Sequence, residues 1–261
     1  MKRLLMIPQL SAAKESAALA RQYALGFEYN EFFHPKVLDT EADQKRILEA
    51  YEKITRPAYC TVHGAFFDVI PFSPDPKIRE IAKLRILQSI AVTKKIGASA
   101  VVFHTNYNPF LNTEIYQEVW IQQNVLFWKE ILEAEPQVSI YLENMFDTTP
   151  DLLERLSEAL CIYENYGVCL DYAHASISPT PTEEWAKRLG RFVKHIHLND
   201  NDLKSDLHLA WGSGKIERKT FYRLYETHLQ GADILLEVST LDAVRHSLET
   251  LKADGFLKET Q

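Results

Sequence analysis

Short apolar runs alternate with amphipathic stretches along nearly the whole chain. Runs rich in Val, Ile, Leu and aromatic residues predict buried strands, and the segments between them repeat apolar residues at the helical period of about 3.6. The predicted strands are 3–7, 26–30, 58–63, 100–104, 138–143, 167–171, 193–198 and 233–237. The predicted helices are 11–25, 42–54, 76–96, 113–133, 150–163, 181–189, 219–228 and 241–252.

This alternation predicts an α/β fold with parallel strands, because each strand is followed by a helix that leads back to the start of the next strand. The chain has 261 residues, close to the size of about 250 residues typical of a (β/α)8 TIM barrel. A doubly wound open sheet is the second choice, and it is disfavoured because no glycine-rich turn follows the first strand. No low-complexity linker interrupts the pattern, so we expect one TIM-barrel domain over residues 1–261.

Side chains that can bind a divalent metal close most of the predicted strands. Six strands end, at or near the last residue, in His, Asp or Glu, and a further pair follows the seventh strand. The carboxyl ends of parallel barrel strands meet at one mouth, so these side chains should converge there. Mixed carboxylate and imidazole ligation suits zinc, manganese, magnesium or cobalt. The candidate metal ligands are His63, His104, Glu143, Asp171, His174, His197, Asp206, His208 and Glu237.

Other residues near the predicted mouth are candidates for contacts with a substrate or for the core. Side chains alternate along a strand, so His195 shares a face with His197 and should lie one layer lower, as a hydrogen-bonded core histidine. Cys169 stands two residues before Asp171, and we expect it to pack in the core. The candidate substrate-binding residues are Tyr107, Asn108, Asn144 and Trp211.

Charge and composition narrow the class of partner. The formal net charge of -7 argues against, but does not rule out, a nucleic-acid partner. The three cysteines show no CxxC spacing, as in a cytosolic protein with free thiols. The apolar run at the N-terminus stops at Pro8, and no segment approaches about eighteen apolar residues, so we expect a cytoplasmic protein without a membrane span.

Seven short motifs at the strand ends occur together and in order between residues 58 and 240. They are V-H-G at 62–64, F-H-T at 103–105, L-E-N at 142–144, L-D-Y-A-H-A at 170–175, H-I-H-L-N-D-N at 195–201, D-L-H-L-x-x-G-x-G-x-I at 206–216 and L-L-E-V at 235–238. As a set they resemble the xylose isomerase-like TIM-barrel superfamily. That group includes sugar and sugar-phosphate isomerases and epimerases. It also includes endonuclease IV of AP endonuclease family 2, which acts at abasic sites in DNA.

The resemblance to the isomerases implies a divalent-metal-dependent sugar or sugar-phosphate isomerase or epimerase. Its four metal ligands would be Glu143, Asp171, His197 and Glu237. Glu143 and Glu237 would also transfer the proton on opposite faces of a metal-chelated substrate, and His174 would hold a hydroxyl or relay a proton. The partner would then be a small carbohydrate or a sugar phosphate, and the exposed helices of such barrels often form homodimers.

The resemblance to endonuclease IV implies instead a trinuclear zinc phosphodiesterase or AP endonuclease. His63 and His104 would share Glu143 at one additional ion, and a second additional ion would be bound by His174 with Asp206 and His208. The loops 30–35 and 64–71 are aromatic, apolar and acidic rather than basic, which favours a small substrate over duplex DNA. We therefore prefer the isomerase, with the hydrolase as the alternative. A sugar-binding barrel without catalysis would leave the converging ligands unexplained.

Overall fold

The computed structural model describes residues 3–257, and in this part of the chain eight parallel strands close into a barrel. Each strand pairs with the next one along the chain, and the last pairs with the first. The predicted TIM barrel is therefore confirmed. The ends of the predicted domain, residues 1–2 and 258–261, lie outside the described part. The strands are β1 (Leu4–Met6), β2 (Gly26–Tyr29), β3 (Cys60–His63), β4 (Ala100–His104), β5 (Ser139–Glu143), β6 (Tyr166–Asp171), β7 (Val193–Leu198) and β8 (Asp233–Leu236).

Helices follow the strands and cover the outside of the barrel. None of the described helices is both long and apolar enough to cross a membrane. The helices are α1 (Ala13–Tyr23), α2 (Pro35–Asp39), α3 (Glu41–Glu52), α4 (Pro76–Ile96), α5 (Glu114–Ala134), α6 (Asp151–Leu160), α7 (Tyr172–Ile177), α8 (Thr182–Leu189), α9 (Arg218–His228) and α10 (Leu241–Ala253).

Two short helices, α2 and α7, lie in loops where the sequence pattern predicts no helix. Each is too short to show a helical period of apolar residues. Helix α7 begins directly after β6 because the Asp171 side chain accepts a hydrogen bond from the backbone N–H of His174, at 2.6 Å. This N-cap places His174 in the first turn of α7, next to the end of β6.

The strands are buried on both faces, as expected for a parallel barrel. Every residue of β2, β3, β6 and β8 is buried. The outer core lies between the sheet and the helices, where Trp120 of α5 and Trp185 of α8 are completely buried. The apolar pattern of the strands therefore accounts for most of the core, and the polar side chains at the strand ends are left to form the mouth.

The connection from β7 to α9 carries Asp206 and His208, and one carboxylate organises it. Asp200 accepts hydrogen bonds from the backbone N–H groups of Gly212 at 3.0 Å and Ile216 at 3.1 Å. The backbone of Asp200 also exchanges two hydrogen bonds with Leu209, each at 2.9 Å. The loop is thus folded back on the end of β7, and this holds its metal-binding candidates at the mouth.

We predict that Gly214→Ala destabilises the fold more than Gly97→Ala. A Cβ atom at position 214 would lie 2.3 Å from the Asn201 carbonyl oxygen and from Oδ1 of Asp200. Because both neighbours are fixed in the loop, the clash should cost about 3 kcal/mol. At Gly97, whose φ is +71°, an added Cβ meets nothing within 4 Å, so only left-handed strain of about 1 kcal/mol remains.

Urea-induced unfolding of both variants and the wild type measures the two losses in the free energy of unfolding. Equal losses for the two substitutions would contradict the close packing of the loop on Asp200.

Candidate metal centre

Glu143, at the end of β5, lies at the centre of the mouth and is almost completely buried. Its Oε1 atom is 3.3 Å from Nδ1 of His197. Its Oε2 atom is 3.4 Å from Nε2 of His104 and 3.6 Å from Nε2 of His63. Glu143, His63 and His104 form the first ligand group. Because the other oxygen of Glu143 faces His197, this one carboxylate could serve two metal positions.

A second group of ligands comes from four neighbouring strands. Glu143, Asp171 and His197 each offer a ligand atom, and these atoms lie within 4.8 Å of one another. Glu237, which follows β8, has its Oε1 atom 3.5 Å from Nδ1 of His197. These four side chains form a cluster at the centre of the barrel mouth.

A third group lies beside the second, nearer to solvent. Nε2 of His174 is 3.3 Å and Nε2 of His208 is 3.0 Å from the same oxygen of Asp206. The other ring nitrogen of His208, Nδ1, is 3.5 Å from Oε2 of Glu237. The structure therefore brings all nine predicted ligands together in three adjoining groups.

Several ligand atoms are buried without any hydrogen-bond partner. They include Oε2 of Glu143, Oδ2 of Asp171 and Nδ1 of His197. A buried polar group left unpaired costs about 1–3 kcal/mol, and two carboxylates close together also repel each other. Divalent cations between these atoms would remove both costs. The mixture of carboxylate oxygen and imidazole nitrogen fits zinc, manganese or cobalt.

The surroundings at the mouth shift the pKa values of Glu237 and Glu143 in opposite directions. Burial raises the pKa of Glu237 to about 7. Burial acts on Glu143 in the same sense, but the imidazoles of His197 and His104 outweigh it and hold the pKa of Glu143 well below its ordinary value. Burial would lower the pKa of His197, yet the nearby Cys169 and Glu143 keep it well above its ordinary value. Metal binding at these nitrogens should therefore release protons.

Comparison with known proteins identifies the family of the chain. The model of the xylose isomerase-like TIM barrel family matches residues 18–254. The chain belongs to this family. The uncharacterized protein MJ1311 of Methanocaldococcus jannaschii is 28% identical over 202 residues, which cover 73% of this chain and 68% of that protein.

Two solved structures resemble this xylose isomerase-like barrel over nearly its whole length. The TTHB071 protein from Thermus thermophilus, soaked with ZnCl2, is 26% identical with a TM-score of 0.74 and full coverage of both chains, 100% each. A D-tagatose 3-epimerase-like protein is 23% identical with a TM-score of 0.73, covering 97% of this chain and 96% of its own.

A cavity of about 710 Å³ opens at the barrel mouth, beside the third ligand group. Its floor includes His174 and Asp206, and its walls include the predicted substrate residues Tyr107 and Asn108. The cavity is mostly apolar, with the aromatic rings of Phe110, Phe146 and Tyr107 among its lining residues. Its volume lies within the range of about 300–1,000 Å³ usual for small-molecule sites.

The structure places Asn144 and Trp211, the other two predicted substrate residues, away from this cavity. The Asn144 side chain donates to the backbone oxygen of Asp171 at 3.0 Å and accepts from its N–H at 2.9 Å. Trp211 is a correction to the sequence analysis, because it is completely buried beneath the loop and its indole N–H donates to Tyr222 at 3.0 Å. Asn144 therefore ties β5 to β6, and Trp211 packs in the outer core.

Two acidic residues near the site were missed by the sequence analysis. Glu28 of β2 is 1% exposed, and its carboxylate lies 3.0 Å from Nε2 of both His195 and His197. Asp147 lines the cavity and accepts a hydrogen bond from the Thr105 hydroxyl at 2.6 Å. A charged residue in the middle of the apolar run 26–30 was a signal for Glu28. Asp147 follows β5 in an irregular loop and had no such signal.

We predict that, in metal-free protein, the His208 imidazole stays protonated through neutral pH. Burial alone would lower the pKa of His208, but the Asp206 carboxylate at 3.0 Å and Glu237 raise it to about 10. A histidine NMR titration in the presence of a chelator should show a midpoint near pH 10. In Asp206→Asn the midpoint should fall towards the ordinary value of about 6.5. A wild-type midpoint already at that ordinary value would contradict the pairing.

Proposed function

We propose that this protein is a divalent-metal-dependent sugar isomerase or epimerase. The observation that carries the proposal is the placement of Glu143 and Glu237 at the same ring nitrogen of one histidine. Their oxygens lie 3.3 Å and 3.5 Å from the same atom, Nδ1 of His197. Because β5 and β8 lie on different sides of the barrel, the two carboxylates would approach a bound substrate from different directions.

Glu143, Asp171, His197 and Glu237 would bind the central metal. When bound, a divalent ion would hold two adjacent substrate oxygens and acidify the neighbouring carbon-bound proton. One glutamate would take this proton and the other would return it, so that transfer from opposite faces inverts the carbon. His174, on the floor of the cavity, would hold a substrate hydroxyl or relay a proton.

An aromatic lid would exclude water from this chemistry. The Phe66 ring lies 5.3 Å from His63 and 4.9 Å from His104, measured between ring centroids. Phe33 and Phe67 pack on Phe66 at 5.0 Å and 4.1 Å. The loops that carry these rings are those expected to cover a small substrate. Membership of the xylose isomerase-like family and the similar D-tagatose 3-epimerase-like structure also support a carbohydrate substrate.

The lining of the cavity favours a sugar without a phosphate group. Lys204 is the one lysine or arginine that lines it in the described part of the chain, and this side chain is exposed. A buried phosphate site would need several donors or cations. Aromatic walls suit the apolar faces of a sugar ring instead. The substrate panel for any assay should therefore begin with free ketoses and aldoses, followed by their phosphates.

A trinuclear hydrolase is the second candidate, because the first and third ligand groups are also assembled. His63 and His104 face Oε2 of Glu143, and a separate group is built from His174, Asp206 and His208. These groups would hold two further ions, which in a phosphodiesterase would supply a hydroxide nucleophile and charge stabilisation. In the sugar isomerase they would not be needed for proton transfer.

We predict that Glu143→Gln and Glu237→Gln each lower kcat by at least about 10²-fold, the usual contribution of a positioned acid or base. Each amide keeps the shape of the side chain but cannot carry the proton. The measurement is turnover of the free-sugar panel, followed by NMR of the product. Asp233→Asn is the matched control, because this buried carboxylate pairs with Arg3 at the opposite end of the barrel. Full activity in Glu237→Gln would refute the mechanism.

His63→Ala and His208→Ala in the same assays separate the two candidate functions. A sugar isomerase should retain measurable turnover in both, because neither residue transfers the proton. A severe loss in both variants, together with wild-type cleavage of abasic DNA or a phosphodiester, would favour the trinuclear hydrolase instead.

A further inference from the structure

A layer of polar side chains lies inside the barrel directly below the metal centre. Glu28 of β2 is the register partner of Thr61 on β3, two residues before His63. His195 on β7 lies two residues before His197. Since alternate residues of a strand share a face, these residues form the layer beneath the strand-end ligands. Glu28, Thr61 and His195 are all buried.

The Glu28 carboxylate joins this layer to the metal centre. Its Oε2 atom accepts a hydrogen bond from the Thr61 hydroxyl at 2.6 Å and lies 3.0 Å from Nε2 of His195. Its Oε1 atom lies 3.0 Å from Nε2 of His197. Both imidazole contacts lie within ion-pair distance but do not meet hydrogen-bond geometry. Among the described residues, Oε1 of Glu28 and Nε2 of His197 have no hydrogen-bond partner. The attraction between the Glu28 carboxylate and the His197 ring is therefore electrostatic.

A carboxylate in this position needs such partners. Glu28 is 1% exposed, and an unpaired charge at that depth would be strongly destabilising. Among residues 3–257 it forms no ion pair with a lysine or an arginine, so the two imidazoles and the Thr61 hydroxyl are its polar contacts. The barrel interior therefore contains the Glu28 carboxylate, and its Oε1 atom faces the Nε2 side of the His197 ring.

The two nitrogens of His197 face different neighbours. Nδ1 faces Glu143 and Glu237 at 3.3 Å and 3.5 Å, and Nε2 faces Glu28. A neutral imidazole has one N–H and one bare nitrogen. With the proton on Nε2, the lone pair of Nδ1 is directed at the metal group. With the proton on Nδ1, the ring could not bind a metal there.

We propose that Glu28 is a positioning residue of the metal centre, which attracts the Nε2 side of the His197 ring and thereby directs Nδ1 at Glu143 and Glu237. This inference rests on the metal centre proposed above. Carboxylates that orient a metal-binding imidazole typically contribute about 10–100-fold to metal affinity. The Thr61 hydroxyl donates to the other oxygen of Glu28 and thereby fixes the orientation of its carboxylate, beside the His195 imidazole.

The test measures metal affinity rather than turnover. Apo protein is titrated with Zn²⁺ in competition with a chromophoric chelator, and with Co²⁺ followed by its visible absorption spectrum. Glu28→Gln should weaken the tightest Zn²⁺ site by about 10–100-fold and change the Co²⁺ spectrum, because a neutral amide attracts the Nε2–H group of His197 less strongly than a carboxylate does. Circular dichroism and thermal unfolding of the apo proteins check that the fold is retained.

Three further variants make the result specific. Asp233→Asn also removes a buried carboxylate but lies at the other end of the barrel, so its metal affinity should equal that of the wild type. Thr61→Val removes one hydroxyl that fixes Glu28 and should weaken the affinity by a smaller factor. It also serves as the milder variant if Glu28→Gln does not fold. His195→Gln should leave the number of bound ions unchanged.

The outcomes separate this inference from the proposed function. Wild-type affinity and spectrum in both Glu28→Gln and Thr61→Val would overturn the positioning role alone, as would an equal loss in Asp233→Asn. Loss of one ion in His195→Gln would also overturn it, because Cys169, His195 and His197 would then bind a metal of their own. A wild-type protein that binds no divalent metal would overturn both proposals.

Discussion

The mouth of this barrel depends on the convergence of buried carboxylates that have only imidazoles to oppose them. Parallel closure brings the ends of β5, β6 and β8 together, so Glu143, Asp171 and Glu237 surround His197. Lysine and arginine make no ion pairs with these three carboxylates in the part of the chain that is described. Divalent metal is the simplest source of the missing positive charge. The proposed chemistry follows from this requirement.

Residues below and beside the ligand cluster orient the ligands. Asn144 ties the backbone of Asp171 to β5 with two hydrogen bonds, and Asp200 holds the loop that delivers His208. Glu28 contacts His197 from beneath. Each of these residues uses its polar groups to orient another residue, and this leaves the ligand atoms unpaired and directed at the centre of the mouth.

Much of this arrangement could be predicted from the sequence, because side chains alternate regularly along a strand and all strands of the barrel run in the same direction. A His or Glu at the end of an apolar run, such as His104 or Glu143, must lie at the mouth once the barrel closes. The eight strands follow for the same reason, with differences of one or two residues at their ends. The family resemblance then implied how the nine ligands divide into groups, and their roles remain predictions.

The remaining features depend on contacts that apolar periodicity does not encode. Glu28 meets His197 across the barrel interior, between strands that are not neighbours. Trp211 follows metal-ligand candidates along the chain, yet its loop folds back and buries the indole against Phe221. Helix α7 is set by one side-chain cap at Asp171 rather than by apolar periodicity. Tertiary packing decides the first two cases, and a local side-chain cap decides the third.

The metal content of protein purified without a histidine tag or added metal tests the central claim most directly. Elemental analysis gives the number and identity of ions per chain. The sugar isomerase predicts about one divalent ion in the site formed by Glu143, Asp171, His197 and Glu237. Close to three zinc ions per chain would favour the hydrolase. No metal, together with no binding of zinc, manganese or cobalt on titration, would contradict a metal centre at this mouth.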